Sequence, residues 1–192
     1  GNKRWEYFVP YINFGKNLIA NERFGIFDFT SNFQVRNFSV DKQTEFFVND
    51  FDWKSNKWLT KKGFANQFLG KIKTVNYDAN NTSVYKSEGT NTEVSGALGF
   101  LSKLALFKED IQNNKKHFLT PKLLFRYAPG HMRDLDNGRL QHSNLFELNK
   151  LEDIDVIESG LSASLGLDYS RHKVSKDNKN DKEEINFSIG QV

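Results

Sequence analysis

The sequence predicts an all-β fold: an antiparallel transmembrane β-barrel segment of about eight long strands. Long stretches alternate between apolar and polar residues with the period of two that a β-strand requires. These stretches exceed the roughly five or six residues typical of strands in soluble sheets. The 192 residues include 18 Phe, 6 Tyr and 3 Trp. Many of these aromatics recur near predicted strand ends, as in the aromatic girdles of membrane barrels.

The clearest alternation lies in residues 156–171. One parity is apolar and ends in an aromatic residue; its members are Ile157, Leu161, Ala163, Leu165, Leu167 and Tyr169. The other parity is small or polar, and its members are Glu158, Gly160, Ser162, Ser164, Gly166 and Asp168. A long strand with one lipid-facing side and one lumen-facing side is typical of a membrane barrel.

The other strands follow from the same rhythm. They are predicted at residues 5–14, 23–40, 44–53, 64–77, 94–107, 118–127 and 185–190. Pro10 cannot donate a ladder hydrogen bond, so we expect a bend there. Polar turns are predicted at residues 15–17, 41–43, 108–116 and 175–183, with a long loop at 78–92 and a short irregular segment at 145–151. Hairpin connections without helical crossovers predict antiparallel pairing.

Composition excludes several classes of protein. The 27 basic and 24 acidic residues are interspersed and give a net charge of only +3, which does not resemble the basic surface of a nucleic-acid-binding protein. The chain has no cysteine, so it has neither disulfides nor thiolate metal sites. No apolar run approaches the roughly 18 residues of a transmembrane helix, whereas a β-barrel remains compatible with the low mean hydropathy.

No catalytic, metal or cofactor site is predicted. The four histidines (His117, His131, His142 and His172) have no metal-binding spacing. The acidic cluster of Glu152, Asp153, Asp155 and Glu158 does not have the spacing of a calcium loop, and we expect it to be solvated or paired with arginine.

The polar parities place several residues on the predicted lumen side. The basic ones are Arg36, Lys71, Lys103, Lys122 and Arg126, and the small ones are Ser162 and Ser164. Two interpretations of the basic residues stay open. They line a lumen that accepts phosphorylated or acidic cargo, or they belong to a hydrated wall with cross-strand partners such as Glu158.

The stretch before the clearest strand carries a recognisable motif. It comprises Asn144, Leu145, Phe146, Asn149, Asp155, Glu158 and Gly160. The pattern resembles the C-terminal barrel domain of the LptD family, the lipopolysaccharide-assembly proteins of the outer membrane. Leu119-Thr120-Pro121-Lys122 and Phe8-Val9-Pro10 resemble strand openings of the same family. Lys150 stands where the family usually has arginine, and Glu152-Asp153 where it usually has glycine.

The resemblance implies a transport function rather than an enzymatic one. It implies a barrel of about two dozen strands in the bacterial outer membrane, so that residues 1–192 would be a fragment of the C-terminal barrel domain, without the N-terminal periplasmic domain. It also implies three partners: lipopolysaccharide, an LptE-like plug lipoprotein in the lumen, and a periplasmic Lpt bridge that delivers the lipid through the missing domain.

Two alternatives belong to other classes. One is a small stand-alone outer-membrane barrel that acts as a pore, or as a hydrolase using Ser162 or Ser164 with a histidine. Side chains would have to fill such a closed barrel of about eight strands, and the residues of the small polar parity are too small to do so. The other is a soluble sandwich, which predicts shorter strands and two packed sheets.

Overall fold

The computed structural model of the chain describes residues 6–38, 42–80, 89–130, 140–151, 154–173 and 182–192. These residues form one antiparallel sheet of ten strands, eight long and two short. The prediction of an all-β, antiparallel fold with about eight long strands is confirmed. The strands are β1 (Glu6–Asn21), β2 (Gly25–Phe38), β3 (Lys42–Lys54), β4 (Trp58–Leu59), β5 (Phe64–Asn80), β6 (Gly89–Leu104), β7 (Leu106–Asp110), β8 (Lys115–Ala128), β9 (Gly160–Lys173) and β10 (Lys182–Gln191).

The sheet is a continuous ribbon in the order β1-β2-β3-β5-β6-β8-β9-β10, with β4 paired to β5 and β7 paired to β8. Within the described ranges it does not close on itself, so β1 and β10 are its two edges. The long strands have between 10 and 17 residues, and about 9–11 residues suffice to cross the hydrocarbon core of a bilayer. No helix in the described ranges is long and apolar enough to span a membrane.

Cross-strand register gives the sheet two faces of different composition. The exposed face carries the apolar parity, and among its residues are Phe47, Phe51, Ile72, Leu98, Phe125, Leu161 and Leu165. The other face, which we call the covered face, carries among others Phe46, Asp50, Lys73, Tyr77, Ala97, Arg126 and Ser164, all buried. The predicted parities of β2, β3, β6, β8 and β9 agree with this register.

Aromatic rings form cross-strand contacts on the exposed face. Phe29 of β2 lies 4.9 Å from Phe51 of β3, measured between ring centroids. Trp58 of β4 lies 5.2 Å from Phe68 of β5, and Phe68 lies 5.4 Å from Phe100 of β6. Pairs at these separations stabilise neighbouring strands beyond the area that they bury. The rings therefore join β2 to β3, and β4 to β5 and β6, on the face that carries no other protein layer in the described part of the chain.

Several predicted boundaries were wrong. Residues 15–17 continue β1, and the turn follows at residues 22–24. Residues 78–80 belong to β5 and residues 89–92 to β6, whereas residues 81–88 of the predicted loop lie outside the described part. Polar residues resembled a loop there, but they pair across strands instead: the Thr92 hydroxyl donates a hydrogen bond of 2.8 Å to the Asn76 side-chain oxygen. Two adjacent strands that carry polar side chains can thus keep their backbone hydrogen bonds to each other.

Two further differences concern strand ends. Strand β9 begins at Gly160 rather than at residue 156, because residues 154–159 pack on the covered face instead of joining the ladder. Residues 106–110, partly predicted as strand and partly as turn, form the separate strand β7. The predicted bend at Pro10 is confirmed by a register shift between Phe8 and Tyr11.

Candidate functional site

Residues 140–151 and 154–159 of the connection between β8 and β9 lie on the covered face of the sheet. We call its residues 140–159 the covering segment; residues 140–151 and 154–159 of it are described. It starts with one short 3-10 helix, His142–Asn144, and continues in turns. Its apolar residues complete two buried clusters on the covered face. Val156 packs with Phe46, Val48, Val75, Tyr77 and Ala79, while Leu148 and Ile157 pack with Leu69, Ala97, Leu101, Leu124 and Ala128.

Three glycines of the sheet leave room for three side chains of this segment. A Cβ atom at Gly99 of β6 would lie only 2.7 Å from Leu148. One at Gly190 of β10 would lie 2.7 Å from Leu145, and one at Gly166 of β9 would overlap the Phe146 ring. Real Cβ atoms do not approach other carbons this closely, so any larger residue would force these three side chains to shift. These glycines therefore act as seats for Leu145, Phe146 and Leu148.

Arg126 of β8 holds the covering segment at two points, Leu148 near its middle and Glu158 near its end. Its side chain is 2% exposed. The Nε atom donates a hydrogen bond of 2.6 Å to the carbonyl oxygen of Leu148, and an Nη atom donates to that of Glu158. The guanidinium also lies 3.5 Å from the Glu158 carboxylate. Buried charges need this kind of full pairing, so Arg126 holds the segment in one position.

Lys150 links the covering segment to β9. Its backbone amide donates a hydrogen bond of 2.8 Å to the Glu158 carboxylate, and its ammonium donates one of 2.5 Å to the Ser162 hydroxyl. Burial lowers the pKa of Lys150, and the nearby Arg126 guanidinium lowers it further, against the opposing effect of Glu158. Glu158 is thus shared by Arg126 and Lys150, as a cross-strand or arginine-paired carboxylate was expected to be.

A third anchor lies on β5. The Lys73 ammonium donates a hydrogen bond of 2.6 Å to the carbonyl oxygen of Ile154 and contacts Asp50 at 2.9 Å. Its neighbour Lys71 contacts Asp50 at 3.0 Å and Asp52 at 2.8 Å. Two lysines of β5 and two aspartates of β3 therefore neutralise each other, and one of the lysines, Lys73, also holds the covering segment.

Lys122 of β8 completes the attachments. Its ammonium lies 2.5 Å from Asp168 of β9 and 4.7 Å from the centre of the Phe146 ring. Asp168 also accepts a hydrogen bond of 2.9 Å from Ser188 of β10. A cation above an aromatic ring is attracted by its negative face, so this lysine holds Phe146 above its glycine seat.

The motif residues lie mostly where the segment meets the sheet. Asn144 and Leu145 are buried, and Phe146 packs against a core cluster. Asp155 is buried, and both Asp155 and Asn149 have interaction partners. Gly160, the first residue of β9, has φ +110°, a conformation that favours glycine.

The remaining predicted site residues lie on the same sheet. Lys122, Arg126, Ser162 and Ser164 are all on the covered face. Arg36 is in β2, opposite Phe8 and Thr44, at a covered-face register position; its side chain lies outside the described part. Ser164 is fully buried and its hydroxyl has no hydrogen-bond partner among the described residues. In the same part of the chain, no histidine hydrogen-bonds to Ser162 or Ser164.

Sequence analysis missed the anchors on β3, β5, β6 and β10. Asp50, Lys73, Gly99 and Gly190 were not identified as parts of the site. A partial signal existed, because Asp50 shares its parity with the buried Phe46 and Val48. A charged residue at the same alternate positions of a strand as buried apolar residues indicates a buried partner. The identity of that partner depends on the fold.

A groove of about 850 Å³ borders the covering segment. It lies along β1, β2, β3, β5 and β6, towards the end of the sheet where the turn after β3 is located. Among its lining residues are Asp28, Asp52, Lys57, Gln67, Leu69, Lys71, Leu101, Lys103, Phe146 and Leu148. The covered face is therefore closed in one part and open in another. No group of three or more acidic or histidine residues is placed to hold a metal ion within the described ranges.

Comparisons with known proteins agree with the motif. No curated protein matches the chain. The family model described as LptD, LPS transport system D, matches residues 9–192, which is nearly the whole chain. The motif residues that carried the resemblance are the ones that dock the covering segment on the sheet or begin the strand after it. The chain therefore belongs to the LptD family of lipopolysaccharide transport proteins.

Proposed function

We propose that the chain is a wall segment of a larger outer-membrane β-barrel that helps to transport lipopolysaccharide and to insert it into the outer leaflet. The observation that carries this proposal is the division of one sheet into an apolar exposed face and a covered face that combines charged and polar groups with buried apolar clusters. Leu98, Leu161 and Leu165 are 62%, 80% and 62% exposed, respectively. A face of this kind has a low free energy only against lipid or another apolar surface.

The proposed mechanism is non-covalent. The exposed face contacts acyl chains and anchors the wall in the bilayer. The covered face provides charged and amide groups that replace the water around a polar headgroup. Because Lys71, Lys73 and Arg126 are already paired with carboxylates, a headgroup meets preformed polar surface instead of reorganising it.

The partners follow from family membership and remain part of the proposal. Residues 1–192 would be a fragment of the C-terminal barrel domain. An LptE-like lipoprotein would occupy the lumen, and a periplasmic Lpt bridge would deliver lipopolysaccharide through an N-terminal domain of the complete protein. The location would be the outer membrane of a bacterium. The open edges β1 and β10 are compatible with this arrangement, since each leaves one side of a long strand for further pairing.

A depletion experiment tests the function. The complete protein that contains this chain is placed under a repressible promoter, and lipopolysaccharide at the cell surface is measured by antibody labelling of intact cells. We expect surface lipopolysaccharide to fall as the protein is depleted, to accumulate in the inner membrane, and to recover with a wild-type copy. Unchanged surface lipopolysaccharide after complete depletion would contradict the proposed function.

A further inference from the structure

The groove beside the covering segment cannot be closed by a small movement of that segment. Leu148 and Phe146, which form one of its walls, are seated above Gly99 and Gly166. Arg126 and Lys73 hold the backbone of the segment at Leu148 and Ile154. Because packed side chains in glycine seats have essentially one arrangement, the groove is a permanent feature of the covered face.

The basic residues of the covered face fall into two groups. Lys71, Lys73 and Lys122 each contact a carboxylate within 3.0 Å. Lys103 of β6 differs, because it has neither a hydrogen bond nor an ion pair with any described residue, although it is partly buried. The charges that act on it are two further cations, Lys122 and Lys57, and the carboxylate of Asp168, which Lys122 and Ser188 already bind. Positive charge is therefore left uncompensated at Lys103.

Lys57 shares the groove with Lys103. It lies in the turn between β3 and β4, and it too has neither a hydrogen bond nor an ion pair with any described residue. The acidic residues of the groove are Asp28 on β2, Asp52 on β3 and Glu147 in the covering segment, whereas Lys103 lies on β6. Strands β3 and β6 are two steps apart in the sheet, which corresponds to roughly 10 Å. Asp52 is in addition bound by Lys71. No carboxylate of the groove forms an ion pair with Lys57 or Lys103 among the described residues.

We propose that this groove is a binding site for a phosphate group of the lipopolysaccharide headgroup, with Lys57 and Lys103 as the residues that contact it. The inference rests on the proposed function and assigns the cargo contact to one part of the covered face. Two like charges in a partly buried groove repel each other, and an anion with two negative charges removes that repulsion. Gln67 also lines the groove, and its side-chain nitrogen donates one hydrogen bond of 2.7 Å to the Ser55 carbonyl oxygen, which leaves its second amide hydrogen for a ligand. The face beneath the covering segment takes no part in contact with the cargo.

Binding of a soluble headgroup tests the assignment. The complete protein with its lipoprotein partner is purified in detergent, and the probe is deacylated, phosphorylated lipopolysaccharide oligosaccharide carrying a fluorophore. Its dissociation constant is measured by fluorescence anisotropy for the wild type and for the double variant Lys57→Gln/Lys103→Gln. We expect about a tenfold or greater increase in the double variant, since each charge-assisted hydrogen bond contributes several-fold to binding. We also expect wild-type binding to weaken steeply with added salt.

The matched control removes two exposed lysines outside the groove, Lys62→Gln/Lys108→Gln, with the same change in net charge. We expect less than about a twofold effect from it, because exposed charges are screened by salt. Folding of both variants is checked by the heat-dependent shift in electrophoretic mobility. Equal weakening by the two double variants, or none by Lys57→Gln/Lys103→Gln, would overturn the assignment.

Two further arms identify the ligand. We expect dephosphorylated oligosaccharide to bind the wild type as weakly as the phosphorylated oligosaccharide binds Lys57→Gln/Lys103→Gln. Equal binding of the two oligosaccharides to the wild type would overturn the role of phosphate. Inorganic phosphate that binds as tightly as the oligosaccharide would assign the site to free phosphate instead of cargo. Normal binding by the double variant, together with loss of surface lipopolysaccharide on depletion, would refute this site and leave the proposed function standing.

Discussion

The exposed and covered faces are made by alternate residues of the same strands, yet they are stabilised in opposite ways. On the exposed face, Leu98 and Leu165 project from the sheet with more than half of their surface uncovered. On the covered face, Arg126 and Lys73 are at most 2% exposed and fully paired. The exposed face is thus stabilised by the surrounding medium, whereas the covered face is stabilised by contacts with a segment of the same chain.

This difference shows what each face requires. Apolar surface needs only a nonpolar medium, and burial contributes about 25 cal/mol for each Å² removed from water. A buried charge needs specific partners at hydrogen-bond distance. Substitutions on the exposed face should therefore act through the medium, whereas those on the covered face should act through individual contacts.

The largest expected effect is loss of the anchor at Arg126. Arg126→Met in the complete protein removes a buried cation and leaves Glu158 with one partner fewer. Removing one member of a buried pair typically costs about 3–5 kcal/mol. We expect a decrease of that size in the free energy of unfolding, measured by urea titration of the protein in lipid vesicles. Lys108→Met on the exposed strand β7 is the control and should change it little; comparable losses in both would argue against the anchor.

The second prediction concerns Leu165, on the exposed face of β9. Leu165→Arg places a charge against hydrocarbon and should reduce stability in the bilayer by roughly 2–4 kcal/mol. The control is Asn13→Arg, at an accessible covered-face position of β1, where the longer side chain reaches water. Ser164→Arg is no suitable control, because Ser164 is fully buried beneath the covering segment. Equal losses for Leu165→Arg and Asn13→Arg, measured by the same titration, would show that the faces are assigned wrongly.

The third prediction concerns the glycine seats. Gly166→Ala introduces a methyl group where the Phe146 ring lies, and overpacking of this kind costs typically about 1–3 kcal/mol. The control is Gly96→Ala on the exposed face of β6, where the nearest atom to a new Cβ is a backbone oxygen at 3.4 Å. We expect limited proteolysis to cut the covering segment faster in Gly166→Ala only. If proteolysis cut the covering segment of Gly166→Ala no faster than that of the wild type, Phe146 would not depend on a glycine at position 166.

The smallest expected effect is a pH dependence at Lys150. Its folded-state pKa lies below the ordinary value because of burial and the nearby Arg126. In the alkaline range between those two pKa values, the unfolded chain binds more protons at this position, so stability rises with pH there. We expect this rise to be smaller in Lys150→Met, as measured by urea titrations across that range. An identical dependence of the free energy of unfolding on pH in the wild type and in Lys150→Met would show that folding does not change the pKa of Lys150.

The faces of the strands could be predicted from sequence because they depend on local periodicity alone. Leu165 and Ser164 differ by one position, and that difference decides which of them faces the covering segment. The motif around Asn144 was also visible, since it lies in one continuous stretch.

The docking of the covering segment could not be predicted in this way. Gly99, Gly166 and Gly190 are far apart in sequence, and small residues on a polar parity are equally compatible with an open lumen. Only the register of β6, β9 and β10 brings them beneath Leu148, Phe146 and Leu145. The strand ends at residues 78–80 and 89–92 were missed for a related reason: Asn and Thr favour loops locally, but here they pair across strands.

The most direct test of the account is the medium around two adjacent residues of β1. Ile12 belongs to the exposed face and Asn13 to the covered face. Each is replaced in turn by cysteine in the complete protein, in a background without other cysteines, and labelled with a nitroxide in lipid vesicles. The account predicts that oxygen relaxes the label at position 12 preferentially, and that a water-soluble nickel complex relaxes the label at position 13. Preferential relaxation by the nickel complex at position 12, or by oxygen at position 13, would contradict it.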